Sequence, residues 1–181
     1  ILSSEVDSHP ILKEIEIAKI AVKDLNKKRD IELDNNLLTD DPFKLINDPS
    51  IDVIVEVMGG VDLAKDIILQ SLKLGKSVVT ANKAVIARYG EEIYKTASKE
   101  GVYILSEAAV CGGIPIIEPL KRSLKSNSIK KMVGIINGTT NFILSKMANE
   151  KADYKETLKL AQSLGYAEFD PTADVEGHDA A

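Results

Sequence analysis

The chain has 181 residues, of which 44% are hydrophobic and 28% charged, and it carries a net charge of −5. This composition is typical of a folded domain, or of one domain and part of another, and argues against global disorder. The two signs of charge are well mixed, so no nucleic-acid-binding face is indicated. No apolar stretch approaches the roughly 18 residues of a membrane span, and the first ten residues lack a signal-peptide pattern. A single cysteine, Cys111, excludes an internal disulfide and suits a reducing compartment.

Short apolar runs in the first hundred residues predict β-strands. The strongest is the β-branched run IDVIVEV at residues 51–57, and three more runs have the same character: residues 15–22, 77–80 and 102–105. Apolar residues occupy nearly every position of these runs. That pattern is expected when helices cover both faces of a parallel sheet.

Helical patterns alternate with these strands. A short helix is predicted from Pro42, with Asp41 as its N-cap. Longer helices are predicted over residues 61–74 and 83–100, and each is followed by a glycine, which is typical of a helix C-terminus. The alternation predicts an α/β fold with a doubly wound parallel sheet, in which ligands bind at the carboxyl ends of the strands.

The pattern changes near residue 110, and we predict a domain boundary at residues 106–113. Beyond it the sequence predicts four elements: a helix over 114–126, a strand over 129–137, a helix over 139–149, and a helix that begins at the capping box Asp153–Glu156 and runs to Gly165.

Two loops follow the strongest predicted strand and the next strand along the chain. The first holds Met58, Gly59 and Gly60, where glycines let a backbone approach a ligand, although a tight turn explains the same residues. The second holds Thr80 and Lys83. A lysine at the carboxyl edge of a sheet can move a proton or polarise a carbonyl. The alternative is a solvated lysine, but a cation is unfavourable in the first turn of a helix, and this favours a chemical role.

Two more glycine-containing loops lie further along. In EAAVCGGIP, residues 107–115, one carboxylate and several turn carbonyls could hold a hard cation, and an interdomain hinge is the simpler alternative. In NGTTN, residues 137–141, a strand runs into a helix and presents hydroxyls and amides to a polar substrate. The alternative is that Thr139 or Thr140 acts only as an N-cap.

The last loop is acidic, with five carboxylates between residues 168 and 179. Such a cluster can bind the ammonium group of an amino acid and orient a lysine, although most charge runs are solvated surface. The spacing matches no recognised zinc or EF-hand site. His178 is interpreted as part of the local structure and not of a catalytic dyad, and His9 indicates no function.

Taken in order, five segments resemble the homoserine dehydrogenase family: VEVMGG, VVTANKA, SEAAVCGGIPII, GIINGTTNFIL and LGYAEFDPTADVEGHDAA. The resemblance extends from about residue 15 to the end. It implies NAD(P)H-dependent reduction of aspartate 4-semialdehyde to homoserine, on the route to threonine and methionine. It also implies a partial Rossmann-type NAD(P)-binding domain over residues 1–107, without its first strand. Residues 108–181 would then be part of an α+β catalytic and dimerisation domain. A cytoplasmic homodimer with a small-molecule substrate is expected at full length, with neither nucleic acid nor membrane as a partner.

The resemblance also implies roles for individual residues. The catalytic residues that it implies are Lys83 and Asp179. The cofactor is contacted by Met58, Gly59, Thr80 and Lys83. The substrate is contacted by Gly138, Thr139, Glu168, Asp174 and Asp179. A monovalent cation, usually sodium, is held by Glu107 and by the backbone of Val110, Gly112 and Ile114. The Lys83 amine is expected to enter a cleft between two domains and to face the acidic loop.

Two expected features of the family have no match in this sequence. The G-x-G-x-x-G turn belongs upstream of the first predicted strand, so residues 1–11 are expected to be the tail of the first helix. A second catalytic lysine belongs about four residues after Asp179, followed by a segment that completes the cofactor domain. The sequence is therefore expected to be a fragment that binds cofactor poorly and turns over slowly or not at all. Two alternatives are a non-catalytic remnant of the cofactor fold, and a related Rossmann oxidoreductase for another aldehyde or alcohol.

The preference between NAD and NADP depends on residues that follow the first predicted strand. Asp24 can accept ribose hydroxyls, which favours NAD, whereas Lys27, Lys28 and Arg29 can accept a 2′-phosphate. The local excess of basic residues favours NADP slightly.

Overall fold

The computed structural model describes residues 14–31 and 33–180. The helix tail expected at residues 1–11 lies outside them. The chain packs as two compact units, one that runs to Lys125 and one that begins at Ser126. The domain boundary expected at residues 106–113 stays a prediction.

From β2 onward, strands and helices alternate in the first unit, and every strand pair in its described residues is parallel. The elements are β1 (Ile20–Ala21), β2 (Leu38–Thr39), α1 (Pro42–Asn47), β3 (Val53–Glu56), α2 (Asp62–Lys73), β4 (Ser77–Thr80), α3 (Lys83–Glu100) and β5 (Ile104–Leu105). Strand β1 pairs with β2, and the other three pair in the order β3-β4-β5. The predicted Rossmann-type parallel α/β fold is therefore confirmed.

The helix ends lie where local chemistry predicts them. The Asp41 side chain accepts the Phe43 N–H at 2.9 Å, and Pro42 is the first residue of α1. Gly75 and Gly101, which follow α2 and α3, have φ angles of +76° and +69°, a backbone region that favours glycine. Across residues 14–31 and 33–180, no helix is long and apolar enough to cross a bilayer.

The core of the first unit lies on one face of the β3-β4-β5 sheet. On that face, Ile54, Val78 and Ile104 form one buried cluster with Ile68 of α2 and Ile93 of α3. Burial of each such side chain contributes about 1.5–3 kcal/mol. On the opposite face of β3, in the described part of the chain, Val53 and Val55 are 50% and 63% exposed. In these residues the helices α2 and α3 therefore cover one face of the sheet.

The strand predicted over residues 15–22 is much shorter in the structure. Only Ile20 and Ala21 pair with β2, and the Val22 N–H adds one bond to the Thr39 carbonyl at 2.8 Å. Ile15 and Ile17 are 55% and 47% exposed. The prediction was wrong in length because an apolar run becomes a strand only where a neighbouring chain accepts its hydrogen bonds.

The second unit is helical, with α4 (Gly138–Glu150), α5 (Tyr154–Ser163) and the short α6 (Thr172–Val175). Helices α4 and α5 bury Ile143, Ala161 and Ala167 between them. The Asp153 carboxylate caps α5 and accepts the N–H groups of Lys155 and Glu156 at 2.8 and 3.3 Å. This confirms the predicted start of that helix.

The strand predicted over residues 129–137 is wrong, because no strand occurs in the described residues of the second unit. Met132, Val133 and Ile136 are 71%, 85% and 75% exposed. The apolar pattern is typical of a strand, but no other segment of the described chain pairs with it. Strand formation requires such a partner.

The helix predicted over residues 114–126 is reduced to a short segment that ends in a π-helical turn at Pro119–Ser123. Pro115 disfavours helical backbone at Ile114, the residue before it. The N–H groups of Ile116 to Glu118 bind the Glu107 carboxylate instead of a preceding helical turn. The helix is short for both reasons.

Candidate functional site

Two buried polar side chains meet at the carboxyl ends of β3 and β4. Glu56 and Thr80 are paired in the strand register and are 3% and 0% exposed. The Thr80 hydroxyl donates to Glu56 Oε2 at 2.6 Å, and Glu56 Oε1 accepts the Met58 N–H at 2.9 Å. The loop after β3 is therefore bonded to the end of β4.

Asn82 extends this polar network to the start of α3. Its Nδ2 donates to the Gly60 carbonyl at 2.8 Å and, more weakly, to Glu56 Oε1 at 3.5 Å. Its Oδ1 accepts the Val85 N–H at 3.2 Å, and its own N–H donates to Thr80 Oγ1 at 3.0 Å. The network therefore sets where the loop after β3 lies relative to the first turn of α3.

The loop that the network holds has open space around its backbone. Gly59 and Gly60 have φ angles of +74° and +71°, and a Cβ built on either would meet no atom within 4 Å. Met58 is 50% exposed. A ligand can therefore approach this backbone closely.

Thr80 and Lys83, the other residues that the family resemblance assigns to the cofactor, differ in environment. The Thr80 hydroxyl is bonded to Glu56 and Asn82, and the whole residue is 0% exposed, so Thr80 is not open to a ligand and acts on the site through its hydrogen bonds. Lys83 is exposed and is the first residue of α3. A cation at this position opposes the helix dipole, so the charge of Lys83 does not stabilise α3 through that dipole.

Sequence reasoning did not single out Glu56 or Asn82 as site residues. A usable signal was present for each. Glu56 is the only charged residue in the run VIVEV, where a buried strand was predicted. Asn82 stands directly before an amphipathic helix, which is a typical N-cap position.

The loop assigned to a monovalent cation is organised by Glu107. Its Oε1 accepts the N–H groups of Ile116 and Ile117, and its Oε2 accepts the Glu118 N–H at 2.7 Å. The bond from Glu118, with those from Ile116 and Ile117, holds the pKa of the Glu107 carboxyl below its usual range, although burial acts in the opposite direction.

The described residues contain no group of three or more His, Cys, Asp or Glu side chains that could hold a metal ion. A cation beside Glu107 would therefore need backbone carbonyl oxygens, as the resemblance implies for Val110, Gly112 and Ile114. Gly112 and its neighbour Cys111 have φ angles of +59° and +57°. The cation site stays a prediction.

In the second unit, Asn137 brings two of the predicted substrate residues together. Its Nδ2 donates to Asp174 Oδ1 and to Asp179 Oδ2, both at 2.7 Å. Its Oδ1 accepts the N–H and the hydroxyl of Thr140 at 2.7 and 2.8 Å and so caps α4. The alternative in which Thr139 or Thr140 caps this helix is therefore wrong, because the cap is Asn137.

The remaining predicted substrate residues lie around the same helix start or on the acidic loop. Gly138 is the first residue of α4, and the Thr139 hydroxyl donates to the Tyr166 carbonyl. Glu168 is exposed, and its backbone carbonyl accepts a bond from Gln162 at 3.1 Å. Lys83 belongs to the first unit and these residues to the second, so the predicted approach of Lys83 to the acidic loop stays a prediction.

Comparison with known proteins gives a consistent result along the chain. Residues 2–107 match the family model described as homoserine dehydrogenase, NAD binding domain, and residues 115–181 match the model described as homoserine dehydrogenase. A homoserine dehydrogenase from Synechocystis is 54% identical over 181 residues, which cover 100% of this chain and 42% of that relative.

Solved structures agree. A homoserine dehydrogenase from S. aureus superposes with a TM-score of 0.82 at 40% identity, over 99% of this chain and 46% of that one. A hyperthermophilic archaeal homoserine dehydrogenase in complex with NADPH superposes with a TM-score of 0.68 at 35% identity, over 77% of this chain and 43% of that one. The chain spans less than half the length of each of these relatives. Because one family model covers more than half of the chain and a second covers most of the rest, the chain belongs to the homoserine dehydrogenase family.

Proposed function

We propose that the protein containing this sequence interconverts aspartate 4-semialdehyde and homoserine, with NAD(P) as the redox cofactor. The observation that carries the proposal is the 54% identity to a homoserine dehydrogenase over the whole chain. The open glycine loop at the carboxyl edge of the sheet supports it, because parallel α/β sheets bind their ligands at that edge.

The residues at this edge fit a dinucleotide. The backbone at Gly59 and Gly60 is open, so a bound dinucleotide can approach it closely. We assign Met58 to the cofactor as a direct contact, and the buried Thr80 to the cofactor site through the loop that its bond to Glu56 holds. Bound NAD(P)H supplies the hydride for the aldehyde carbon.

We assign the preference to NADP. Arg29 donates to the carbonyls of Asp24 and Lys27 at 2.7 and 2.8 Å, which closes the loop after β1 on itself. Lys27 and Lys28 are exposed, and we assign them to the 2′-phosphate. The NADPH complex of the archaeal relative is consistent with this assignment.

We assign the substrate contacts to residues of the second unit and the proton donor to Lys83. Backbone N–H groups of Gly138 and Thr139, at the start of α4, suit the substrate carboxylate. The acidic side chains of Glu168, Asp174 and Asp179 suit its ammonium group. As the new C–H bond forms, the Lys83 ammonium gives its proton to the aldehyde oxygen, which becomes the homoserine hydroxyl.

Three further assignments belong to this proposal. A monovalent cation, sodium in our assignment, would be held by Glu107 and by the carbonyl groups of Val110, Gly112 and Ile114. The full-length protein would be a homodimer. It would act in the cytoplasm, where the substrate is a small metabolite.

The test uses a protein of the relatives' length that contains this sequence. Oxidation of homoserine is followed by NADPH absorbance, with serine and malate as comparison alcohols. Serine lacks one methylene of homoserine, so we expect kcat/KM to favour homoserine by about 10–200-fold. A preference for another alcohol would show a different oxidoreductase, and no turnover of any alcohol would favour the non-catalytic remnant.

The Lys83→Ala variant of the same protein tests the assigned proton donor. Loss of a general acid lowers kcat by about 10²–10⁴-fold. Lys95→Ala is the matched control, because Lys95 lies on the same helix in an exposed ion pair with Glu91. A Lys83→Ala turnover within a few-fold of wild type would remove Lys83 from the mechanism.

A further inference from the structure

Asn137 uses the full hydrogen-bonding capacity of its side-chain amide. Both N–H groups donate, one to Asp174 and one to Asp179, at 2.7 Å each. The oxygen accepts two bonds from Thr140. Asn137 is only 9% exposed, so protein groups rather than water satisfy this amide.

The two donated bonds fix the spacing of the two carboxylates. Because both bonds share one nitrogen, the accepting oxygens of Asp174 and Asp179 lie no more than about 5.4 Å apart. Two like charges at that distance repel each other, and the shared amide offsets the repulsion with two charge-assisted hydrogen bonds. The acidic loop is therefore bonded to the start of α4, across 37 and 42 positions of sequence.

Capping of α4 does not by itself require asparagine. A cap needs only an oxygen that accepts a backbone N–H, and serine and aspartate serve about as well as asparagine. Asparagine is the only residue among these that also provides two N–H donors. Capping of α4 therefore does not explain why the Asn137 side chain carries an NH2 group that binds two carboxylates.

We propose that Asn137 is a positioning residue, which holds the Asp174 and Asp179 carboxylates at the spacing that receives the ammonium group of the substrate. This inference rests on the proposed function. An ammonium group offers three donors, so two carboxylates held a few ångströms apart can bind it together. Asn137 itself does not touch the substrate and acts through the two carboxylates.

The experiment compares Asn137→Ser and Asn137→Asp in a protein of the relatives' length. Both variants keep an oxygen that can cap α4, and both remove the two N–H donors. The single O–H donor of serine cannot bind both carboxylates at once. We expect the KM for homoserine to rise about tenfold or more, because each lost bond to a charged group contributes about that much. The KM for NADP should stay within about twofold of wild type, because the cofactor is assigned to the other unit. Should the added charge of Asn137→Asp prevent folding, Asn137→Ser decides.

The matched control is Asp153→Ala, which removes the N-cap of α5 in the same unit. If Asn137 is only a cap, Asn137→Ser, which keeps a capping oxygen, will leave both the unfolding midpoint and the KM for homoserine near wild type, whereas Asp153→Ala will lower the midpoint alone. That outcome overturns the inference. A second measurement adds Asn137→Ser to Asp174→Asn. We expect Asn137→Ser to raise the KM for homoserine much less in the Asp174→Asn protein than in wild type. Fully additive effects of the two substitutions on this KM would also overturn the inference.

Failure of the inference can be told apart from failure of the proposed function. A wild-type protein that does not oxidise homoserine overturns both. An active wild-type protein whose Asn137→Ser variant keeps its KM for homoserine overturns the positioning role alone.

Discussion

Replacement of Thr80 by valine tests the buried network at the carboxyl edge of the sheet. Valine has nearly the shape of threonine, so the change removes the hydroxyl and leaves the packing almost intact. In the structure this hydroxyl donates to Glu56 at 2.6 Å and accepts the Asn82 N–H at 3.0 Å. Thr80 is 0% exposed, so water cannot replace either bond.

The expected loss of stability follows from these two bonds. A hydrogen bond to a charged group contributes about 1.5–3 kcal/mol, and a buried donor left without an acceptor costs about 1–3 kcal/mol. Thr80→Val should therefore lower the free energy of unfolding by about 3–5 kcal/mol. The matched control is Thr80→Ser, which keeps the hydroxyl and loses one methyl group, for a cost of about 1 kcal/mol.

The assay is equilibrium unfolding in urea, followed by far-UV circular dichroism, together with hydrogen exchange of peptides that cover residues 76–85. Exchange should increase at the end of β4 and in the first turn of α3, because the network joins them. If Thr80→Val is as stable as Thr80→Ser to within about 0.5 kcal/mol, which is the usual range of a surface substitution, the network does not stabilise this edge.

Two further stability predictions concern the first unit. Lys76 is 6% exposed, and its Nζ donates to the carbonyls of Asp48 and Ile51. Lys76→Met should therefore lower the free energy of unfolding in urea by about 1.5–3 kcal/mol. Lys73 is exposed, so Lys73→Met should leave this free energy unchanged. Glu107 has a lowered pKa in the folded protein because the N–H groups of Glu118, Ile116 and Ile117 bind it. Its stabilising effect is therefore present above its ordinary pKa of 4.5 and is lost as the pH falls through the folded-state value. Thermal unfolding midpoints of wild type and Glu107→Gln should differ at neutral pH and converge in acid, and a constant difference would contradict this origin.

The sequence contains enough local information to predict most helix ends. Asp41 before Pro42, and glycines after α2 and α3, act within a few residues of the backbone groups that they satisfy. These interactions involve residues that are close in sequence, so helix ends can be predicted without knowledge of the tertiary structure. The same holds for the order of motifs that placed the chain in its family.

Strands were predicted less well, because an apolar run does not specify its partner. Residues 77–80 became a central strand with neighbours on both sides. Residues 129–137 were also predicted to form a strand but pair with no strand in the described part of the chain. The two segments differ in whether another strand lies beside them to pair with. Local strand propensity does not contain this information.

The geometry of the candidate site was decided by tertiary structure. Thr80 meets Glu56 because the parallel register places them side by side, 24 positions apart in sequence. Asn137 meets Asp174 and Asp179 because the acidic loop returns to the start of α4. The sequence indicated Thr80, Asp174 and Asp179 as candidate site residues, but it did not single out Glu56 or Asn137. Which donor meets which acceptor depended on the fold, because a hydrogen bond is directional and acts over only about 3 Å.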